Sequence, residues 1–174
     1  TALIREKGMP NAVIAHDPSG NFDVDALKAQ AKAWHGLIDL DLAKDVTSGQ
    51  SQVWSETDWK WNQGFGENSA PTSHVVAIDY GVKRNILRLI AGLGAKVTIV
   101  PAQTKAEDIL AMNPDGIFLS NGPGDPAATG EYAVPMIQDL LKTDVPVFGI
   151  CLGHQMLAIA VGGKAAKMHQ GHHG

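Results

Sequence analysis

The residue of this chain best suited to chemistry is its single cysteine, which stands in the run Gly149-Ile150-Cys151-Leu152-Gly153. The apolar residues 145–148 predict a strand before it, and residues 155–161 predict a helix after it. A nucleophile between glycines at a strand-to-helix turn is the nucleophile-elbow pattern. The thiol would then lie near a helix N-terminus, where the thiolate that attacks carbonyl carbon is favoured. The alternative is a buried, inert cysteine that packs as a small hydrophobe.

A second predicted strand, residues 115–120, runs into the loop Asn121-Gly122-Pro123-Gly124-Asp125-Pro126. In open α/β sheets ligands bind in the crevice beyond the carboxyl ends of the strands, so this loop would present its backbone there. An N–H group of the loop and that of Leu152 could form an oxyanion hole for a tetrahedral intermediate at Cys151. Asp125 and Pro126 are typical of an N-cap followed by proline at the first helical position. An ordinary strand-to-helix turn is the alternative.

Together the two segments resemble the class I (triad) glutamine amidotransferases, whose glutaminase parts carry an N-G-P-G loop and a G-x-C-L-G-H-Q elbow. The surrounding sequence is more specific and is similar to the small subunits of glutamine-hydrolysing carbamoyl-phosphate synthases. That similarity is carried by residues 79–88 (DYGVKRNILR), 101–104 (PAQT), 112–117 (MNPDGI), 171–174 (GHHG) and the opening TALIREKG. It covers essentially the whole chain, which resembles an internal portion of such a subunit.

The resemblance implies a mechanism and a set of site residues. Cys151 would be the nucleophile toward the side-chain amide of L-glutamine, and backbone N–H groups of Leu152 and Gly124 would form the oxyanion hole. Glutamine would be contacted at Gly122, Gly124, Leu152 and Gln155, the last with both donor and acceptor groups. Ammonia would pass to a large synthetase subunit that uses bicarbonate, ATP and Mg to make carbamoyl phosphate for arginine and pyrimidines. No cofactor or metal is expected in this chain.

One element of the family pattern is not found among these residues. The catalytic base and its orienting acid form a His-x-Glu pair downstream of the Gly-His-His-Gly stretch, and none of the seven histidines is followed two residues later by Glu. Members of such a triad act as a unit, so we expect these 174 residues alone to have little or no glutaminase activity. Two other classes stay open: another class I amidotransferase or cysteine amide hydrolase on the same fold, and a non-catalytic module that docks a synthetase.

The elements that must position these residues predict an α/β fold, a doubly wound and mainly parallel sheet with flanking helices. From residue 74 onward strand and helix patterns alternate, with strands over 74–79, 96–100, 115–120 and 145–150 and helices over 83–93, 104–112 and 131–141. Such alternation implies parallel pairing and right-handed crossovers. The strands before the two site loops are consecutive along the chain and are expected to be neighbours. We therefore assign 73–174 to the N-terminal part of a glutaminase domain.

Residues 1–72 read differently and are predicted to be a connecting region. Residues 11–15 favour a short strand and residues 24–34 a helix. The polar stretch 48–73 holds Trp54, Trp59 and Trp61, which could form a docking surface or pack on the chain's own core.

Composition narrows the function classes. A formal charge of −4 and a pI of about 5.9 argue against nucleic acid as the main partner. One cysteine fits a reducing compartment, the chain has no apolar stretch of membrane-spanning length, and the first residues are not signal-like, so a cytoplasmic location is expected.

Three weaker signals are interpreted as non-catalytic. Residues 122–127 formally fit a dinucleotide fingerprint, but two prolines remove N–H donors that a pyrophosphate needs. His169, His172 and His173 are interpreted as a loop motif, with metal binding the lesser alternative. His154, three residues beyond Cys151, is expected to be structural, because that offset points its ring along the elbow helix.

Overall fold

A computed structural model describes residues 2–8 and 10–166 of the chain. They fall into two compact units, one formed mainly by residues up to Ile38 and the other by Asp39–Ala165. The first unit contains helices α1 (Ala2–Lys7) and α2 (Val24–Ala33). The predicted helix over 24–34 is thus confirmed, and its N-terminus is capped by Asp23, whose carboxylate accepts from the Ala26 N–H at 2.9 Å.

The second unit contains the alternating elements that the sequence predicts from residue 74 onward, and four elements before them. In chain order they are α3 (Ala43–Val46), β1 (Gln52–Trp54), β2 (Glu56–Lys60), β3 (Gly64–Glu67), β4 (Ser73–Asp79), α4 (Arg84–Gly92), β5 (Ala95–Pro101), α5 (Ala106–Leu110), β6 (Gly116–Leu119), α6 (Pro126–Leu140), β7 (Val147–Gly149) and α7 (Leu152–Ala160).

Five of the strands form one sheet in the order β1-β5-β4-β6-β7. The pairs β5–β4, β4–β6 and β6–β7 are parallel, and only β1 joins antiparallel, at the β5 edge. The predicted α/β fold with a mainly parallel sheet is confirmed, and so is the adjacency of β6 and β7. Because neighbouring parallel strands end at the same edge, the loops that follow β6 and β7 meet there.

The sheet is covered on both faces, as alternate residues of the strands show. Val76 and Ile78 of β4 belong to one core cluster together with residues of α5, α6 and α7. Ala77, between them, belongs to a second cluster with Leu87 of α4. Since successive side chains of a strand point to opposite faces, α4 lies on one face of the sheet and the other three helices on the opposite one.

Helix α6 begins earlier than its apolar pattern indicates. Helix α6 starts at Pro126 rather than near residue 131, because Asp125 caps it by accepting from the Ala127 N–H at 2.9 Å and Pro126 occupies the first turn. The cap residue Asp125, not the hydrophobic period, determines where α6 begins. The predicted helix after the elbow is confirmed as α7, which starts at Leu152, directly after Cys151.

The prediction of a strand over residues 11–15 is wrong. These residues adopt no regular structure, and the Ile14 side chain is fully exposed. A short apolar run forms a strand only where a neighbouring strand completes its hydrogen bonds, and this segment pairs with none of the described residues.

Residues 39–72 contain structure that the sequence reading did not assign. β1 adds to the sheet edge, and β2 and β3 form an antiparallel hairpin whose turn places Asn62 and Gly64 at positive φ. The hairpin packs on α4, where Arg88 pairs with Glu56 at 2.6 Å and lies 3.9 Å above the Phe65 ring. The second compact unit therefore begins before residue 72; the domain boundary proposed there stays a prediction.

No helix within residues 2–8 and 10–166 combines the length and the apolar character needed to cross a membrane.

Candidate active site

The elbow around Cys151 has the geometry that its sequence predicts. The chain leaves β7 at Gly149 and enters α7 at Leu152, and Cys151 between them has φ 54° and ψ −113°. This is a sparsely populated region for any residue with a Cβ, and such residues cluster at functional sites. The free thiol group belongs to an exposed residue, so it is presented to solvent and is not packed in the core.

The elbow glycines are required by close packing. A Cβ on Gly149 would lie 2.7 Å from the Gly153 carbonyl carbon, so the backbone of the first turn of α7 leaves no room for a side chain at Gly149. A Cβ on Gly153 would overlap the carbonyl group of Leu119, the last residue of β6. The sharp turn therefore presses the start of α7 against the neighbouring strand, and this contact fixes the direction in which Cys151 points.

Hydrogen bonds attach the elbow to the end of β6. The Ile150 N–H donates to the Leu119 carbonyl at 3.1 Å, and the Gly153 N–H donates to the Ser120 carbonyl at 3.0 Å. Leu152 is buried, with its side chain in the core cluster. Only its backbone can serve a bound substrate, which is the role that the sequence prediction gave it.

The Gly122–Gly124 loop lies at the same edge of the sheet, directly after β6. A Cβ on Gly122 would overlap the Tyr80 carbonyl, so the loop crosses the end of β4 with no room for a side chain. Gly124 has φ 103°, a conformation that residues with a Cβ rarely adopt. In the part of the chain that the structure describes, the N–H groups of Gly122, Gly124 and Leu152 donate to no protein acceptor. They are available for an oxyanion.

Polar side chains lock this loop to the turn between β4 and α4. Asn121 donates through Nδ2 to the Gly81 carbonyl at 3.0 Å and accepts from the Lys83 N–H at 3.1 Å through Oδ1. The buried Ser120 hydroxyl accepts from the Tyr80 N–H at 2.9 Å and donates to the Asn121 carbonyl at 2.8 Å. The loops that follow β4, β6 and β7 are thereby held as one assembly.

Asp79, the last residue of β4, stabilises the β4–α4 turn by hydrogen bonds. The sequence analysis did not single out this residue. Its buried carboxylate accepts from the N–H groups of Gly81 and Val82 at 2.9 and 2.8 Å, and from the Ser48 N–H at 2.8 Å. An Asp two residues before a Gly is a recognisable signal of such a turn. The bond to Ser48 has no local signal, because it joins residues 31 positions apart.

The remaining predicted residues lie as follows. Gln155 is exposed on the first turns of α7, and its N–H donates to the Cys151 carbonyl at 3.0 Å. His154 is exposed on the same helix. His169, His172 and His173 lie outside the described residues; inside them, no three His, Cys, Asp or Glu side chains are grouped to hold a metal ion. The roles assigned to these residues stay predictions.

Trp59 and Trp61 lie at one end of the β2–β3 hairpin. Both are exposed, and their rings meet edge to face at a centroid distance of 5.6 Å. Trp54 on β1 is half-buried, packs against the α4-side core cluster and donates from its indole N–H to the Glu56 carbonyl at 2.8 Å. One tryptophan thus packs on the chain's own core, and the other two face solvent.

The fold and the cysteine elbow are those of a class I glutamine amidotransferase domain, and the family comparison agrees. The model of the family "Glutamine amidotransferase class-I" matches residues 76–174. The chain belongs to this family.

Relatives narrow the similarity further. The chain is 79% identical over 174 residues to the carbamoyl phosphate synthase small chain of Mesorhizobium japonicum, 74% over 177 residues to that of Rhizobium meliloti and 70% over 176 residues to that of Agrobacterium fabrum. Each match covers 100% of this chain and 44% of the relative. The chain therefore spans less than half the length of the curated relatives it matches.

Proposed function

We propose that this chain is the part of a carbamoyl-phosphate synthase small subunit that carries the glutaminase nucleophile. The observation that supports this most is Cys151, held at positive φ at the sheet edge that also carries the Gly122–Gly124 loop, next to a Leu152 N–H that has no acceptor among the described residues. The high identity to carbamoyl phosphate synthase small chains supports the specific reaction.

The reaction is an acyl transfer from glutamine to sulfur and then to water. The Cys151 thiolate attacks the side-chain amide carbon of L-glutamine, and the carbonyl oxygen becomes an oxyanion that the N–H groups of Leu152 and Gly124 stabilise. Collapse of the tetrahedral intermediate breaks the C–N bond and releases ammonia, whose nitrogen takes a proton from a general acid. Water then cleaves the γ-glutamyl thioester, which gives glutamate and restores the thiolate.

Substrate recognition uses the residues around the nucleophile. Gly122, Gly124 and Leu152 offer backbone groups, and the exposed Gln155 side chain offers an amide that can both donate and accept. The general acid and base come from a His-x-Glu pair that the family resemblance places outside these residues. Ammonia passes to a large synthetase subunit, where bicarbonate and ATP are used with Mg; this chain needs no cofactor for its own steps.

Comparing two nitrogen sources tests this proposal. The full-length small subunit carrying Cys151→Ser is assembled with its large subunit and supplied with glutamine or with ammonium chloride. We expect the loss of glutamine-dependent carbamoyl phosphate synthesis to exceed about 1000-fold, because the nucleophile has no substitute, while ammonium-dependent synthesis is unchanged. Full glutamine-dependent activity in the serine variant would refute the assignment of Cys151.

Measurements of hydrolysis, subunit binding and Cys151 labelling separate the alternatives. Strong glutamine or amide hydrolysis by the unsubstituted protein, with no carbamoyl phosphate formed beside a large subunit, would identify an independent cysteine amide hydrolase. A non-catalytic docking module would bind the large subunit while Cys151 fails to react with a glutamine-mimicking electrophile. A single adduct at Cys151, prevented by glutamine and absent from Cys151→Ser, supports the glutaminase proposal.

A further inference from the structure

The segment formed by residues 39–48, called here the strap, crosses the edge of the sheet at which the site loops meet. It precedes the sheet in sequence, yet its backbone contacts the Gly122–Gly124 loop directly. The Asp125 N–H donates to the Leu40 carbonyl at 2.9 Å, and the Asp39 N–H donates to the Asp125 carboxylate at 3.0 Å. A Cβ on Gly124 would lie 2.7 Å from the Leu40 oxygen. The strap therefore packs directly against the backbone of the proposed oxyanion loop.

Asp41 is the side chain that ties the strap to helix α6. Its Oδ1 accepts from the Thr129 hydroxyl at 3.0 Å and from the Tyr132 hydroxyl at 3.3 Å. Thr129 is fully buried and Asp41 is half-buried, so the bond lies partly within the protein. Burial and the neighbouring Asp41 charge raise the pKa of Tyr132, which keeps its hydroxyl protonated as a donor. Two donors on successive turns of α6 thus hold one carboxylate oxygen.

The other end of the strap is fixed to β4 and β5. Ala43 is buried in the core cluster. The Ala102 N–H donates to the Thr47 hydroxyl oxygen at 2.9 Å, and the Ser48 N–H donates to the Asp79 carboxylate at 2.8 Å. The strap is therefore attached at one end to helix α6 and at the other to the ends of β4 and β5. Gly124 lies against Leu40 and Leu42, the two residues that flank Asp41.

We propose that the strap positions the oxyanion hole, and that Asp41 is the positioning residue through which it acts. This inference rests on the proposed function. The loop that the strap holds, Gly122-Pro123-Gly124, has no polar side chain of its own. The position of the Gly124 N–H is therefore set by the residues that pack against the loop. An oxyanion donor works only within about 2.7–3.1 Å of the oxygen, and loss of one such donor lowers kcat by about 100- to 1000-fold. A strap loosened at Asp41 displaces that donor without touching Cys151.

The variants are chosen so that hydrogen bonding and charge are separated. Asp41→Ala removes the oxygen that accepts both hydrogen bonds, whereas Asp41→Asn keeps an oxygen that can accept from both hydroxyls. Thr129→Val removes one donor at nearly constant shape and serves as a second route if Asp41→Ala fails to fold. Asp108→Ala, at an exposed position on α5, is the matched control. All are made in the full-length small subunit assembled with its large subunit.

Three readouts distinguish positioning from general damage. We expect Asp41→Ala to lower kcat for glutamine hydrolysis at least 10-fold with KM changed less than 3-fold, Thr129→Val to lower it about 3- to 10-fold, and Asp41→Asn and Asp108→Ala to stay within 3-fold. Glutamate γ-semialdehyde forms a tetrahedral adduct with the thiol, so its inhibition weakens by the same factor as kcat/KM. Alkylation of Cys151 by iodoacetamide passes through no oxyanion and stays within 2-fold.

The outcomes separate this inference from the proposed function. If the unsubstituted protein does not hydrolyse glutamine, the proposed function fails and the inference with it. If it does, and Asp41→Ala and Thr129→Val both keep full kcat, only the inference is overturned. A parallel fall of hydrolysis and alkylation also overturns it, because the residues would then be merely structural.

Discussion

The strained backbone at Cys151 predicts that the best nucleophile is not the most stable residue at this position. Replacing Cys151 with Ala keeps the Cβ and hence the strain of φ 54°, ψ −113°, whereas Gly removes both. A residue held in a sparsely populated region costs about 1–3 kcal/mol. Glycine in turn costs about 0.5–1 kcal/mol through the extra freedom of the unfolded chain. The position is exposed, so the methyl group of Ala contributes little through burial.

The difference between these terms favours glycine by about 1 kcal/mol. In a domain of roughly 150–250 residues this corresponds to a rise in Tm of about 2–4 °C for Cys151→Gly over Cys151→Ala. Both variants lack the thiol, so any difference in stability is free of effects from cysteine chemistry. Urea unfolding followed by tryptophan fluorescence, with a thermal scan of the same samples, measures it. A glycine variant that is equally or less stable than the alanine variant would refute the reasoning.

Three further predictions concern other positions. Gly153→Ala should destabilise the protein by about 2–3 kcal/mol in urea unfolding, because the added Cβ would overlap the Leu119 carbonyl. The control Gly49→Ala, which has open space around it, should change the free energy of unfolding by less than about 0.5 kcal/mol. Equal effects of the two substitutions would contradict the packing argument. Tyr80→Phe should raise stability by about 1 kcal/mol, because the buried Tyr80 hydroxyl has no partner among the described residues. Burial also raises the pKa of Tyr80, so its hydroxyl stays neutral in the folded state, whereas in the unfolded state it loses its proton above about pH 10. Above that pH, Tyr80 should lower the free energy of unfolding by about 1.4 kcal/mol per pH unit. Urea titrations between pH 9 and 11 would reveal this contribution, which Tyr80→Phe should remove. His154→Gln should leave kcat for glutamine within about 3-fold and the pH profile unchanged, since His154 is exposed on α7 and is not assigned as the base; a 100-fold loss would make it part of the machinery.

The parts of the fold that sequence predicts well are those encoded locally. The parallel strands are apolar runs bounded by Gly, Pro and Asn, and a strand buried on both faces needs no alternation to be recognised. The elbow is equally local, because Gly149 and Gly153 each lie two residues from Cys151 and each is required by a contact within or beside the turn. The N-cap of α6 is local too, because Asp125 followed by Pro126 by itself predicts a helix that starts at Pro126.

The β1 strand and the β2–β3 hairpin could not be predicted in the same way. β1 has three residues, of which Gln52 and Val53 are exposed, so no hydrophobic pattern marks it. It exists because β5 offers an unpaired edge, which is a property of the assembled sheet. The hairpin is stabilised by contacts to α4, among them the ion pair of Arg88 with Glu56, which lie 32 positions apart in sequence. Asn62 and Gly64 were the available turn signal.

The candidate site likewise combines local and long-range features. The residues proposed to react are found in short motifs, whereas the residues that hold them in place are distant in sequence and are harder to predict. The nucleophile Cys151 and the proposed donor at Leu152 are adjacent in one short motif, and the second proposed donor, at Gly124, belongs to another short motif. Their position, however, depends on bonds such as Thr129 to Asp41, which joins residues 88 apart in sequence. No local pattern distinguishes Asp41 from an ordinary exposed aspartate. A motif therefore indicates which reaction is available, and only the folded contacts indicate which other residues hold it in place.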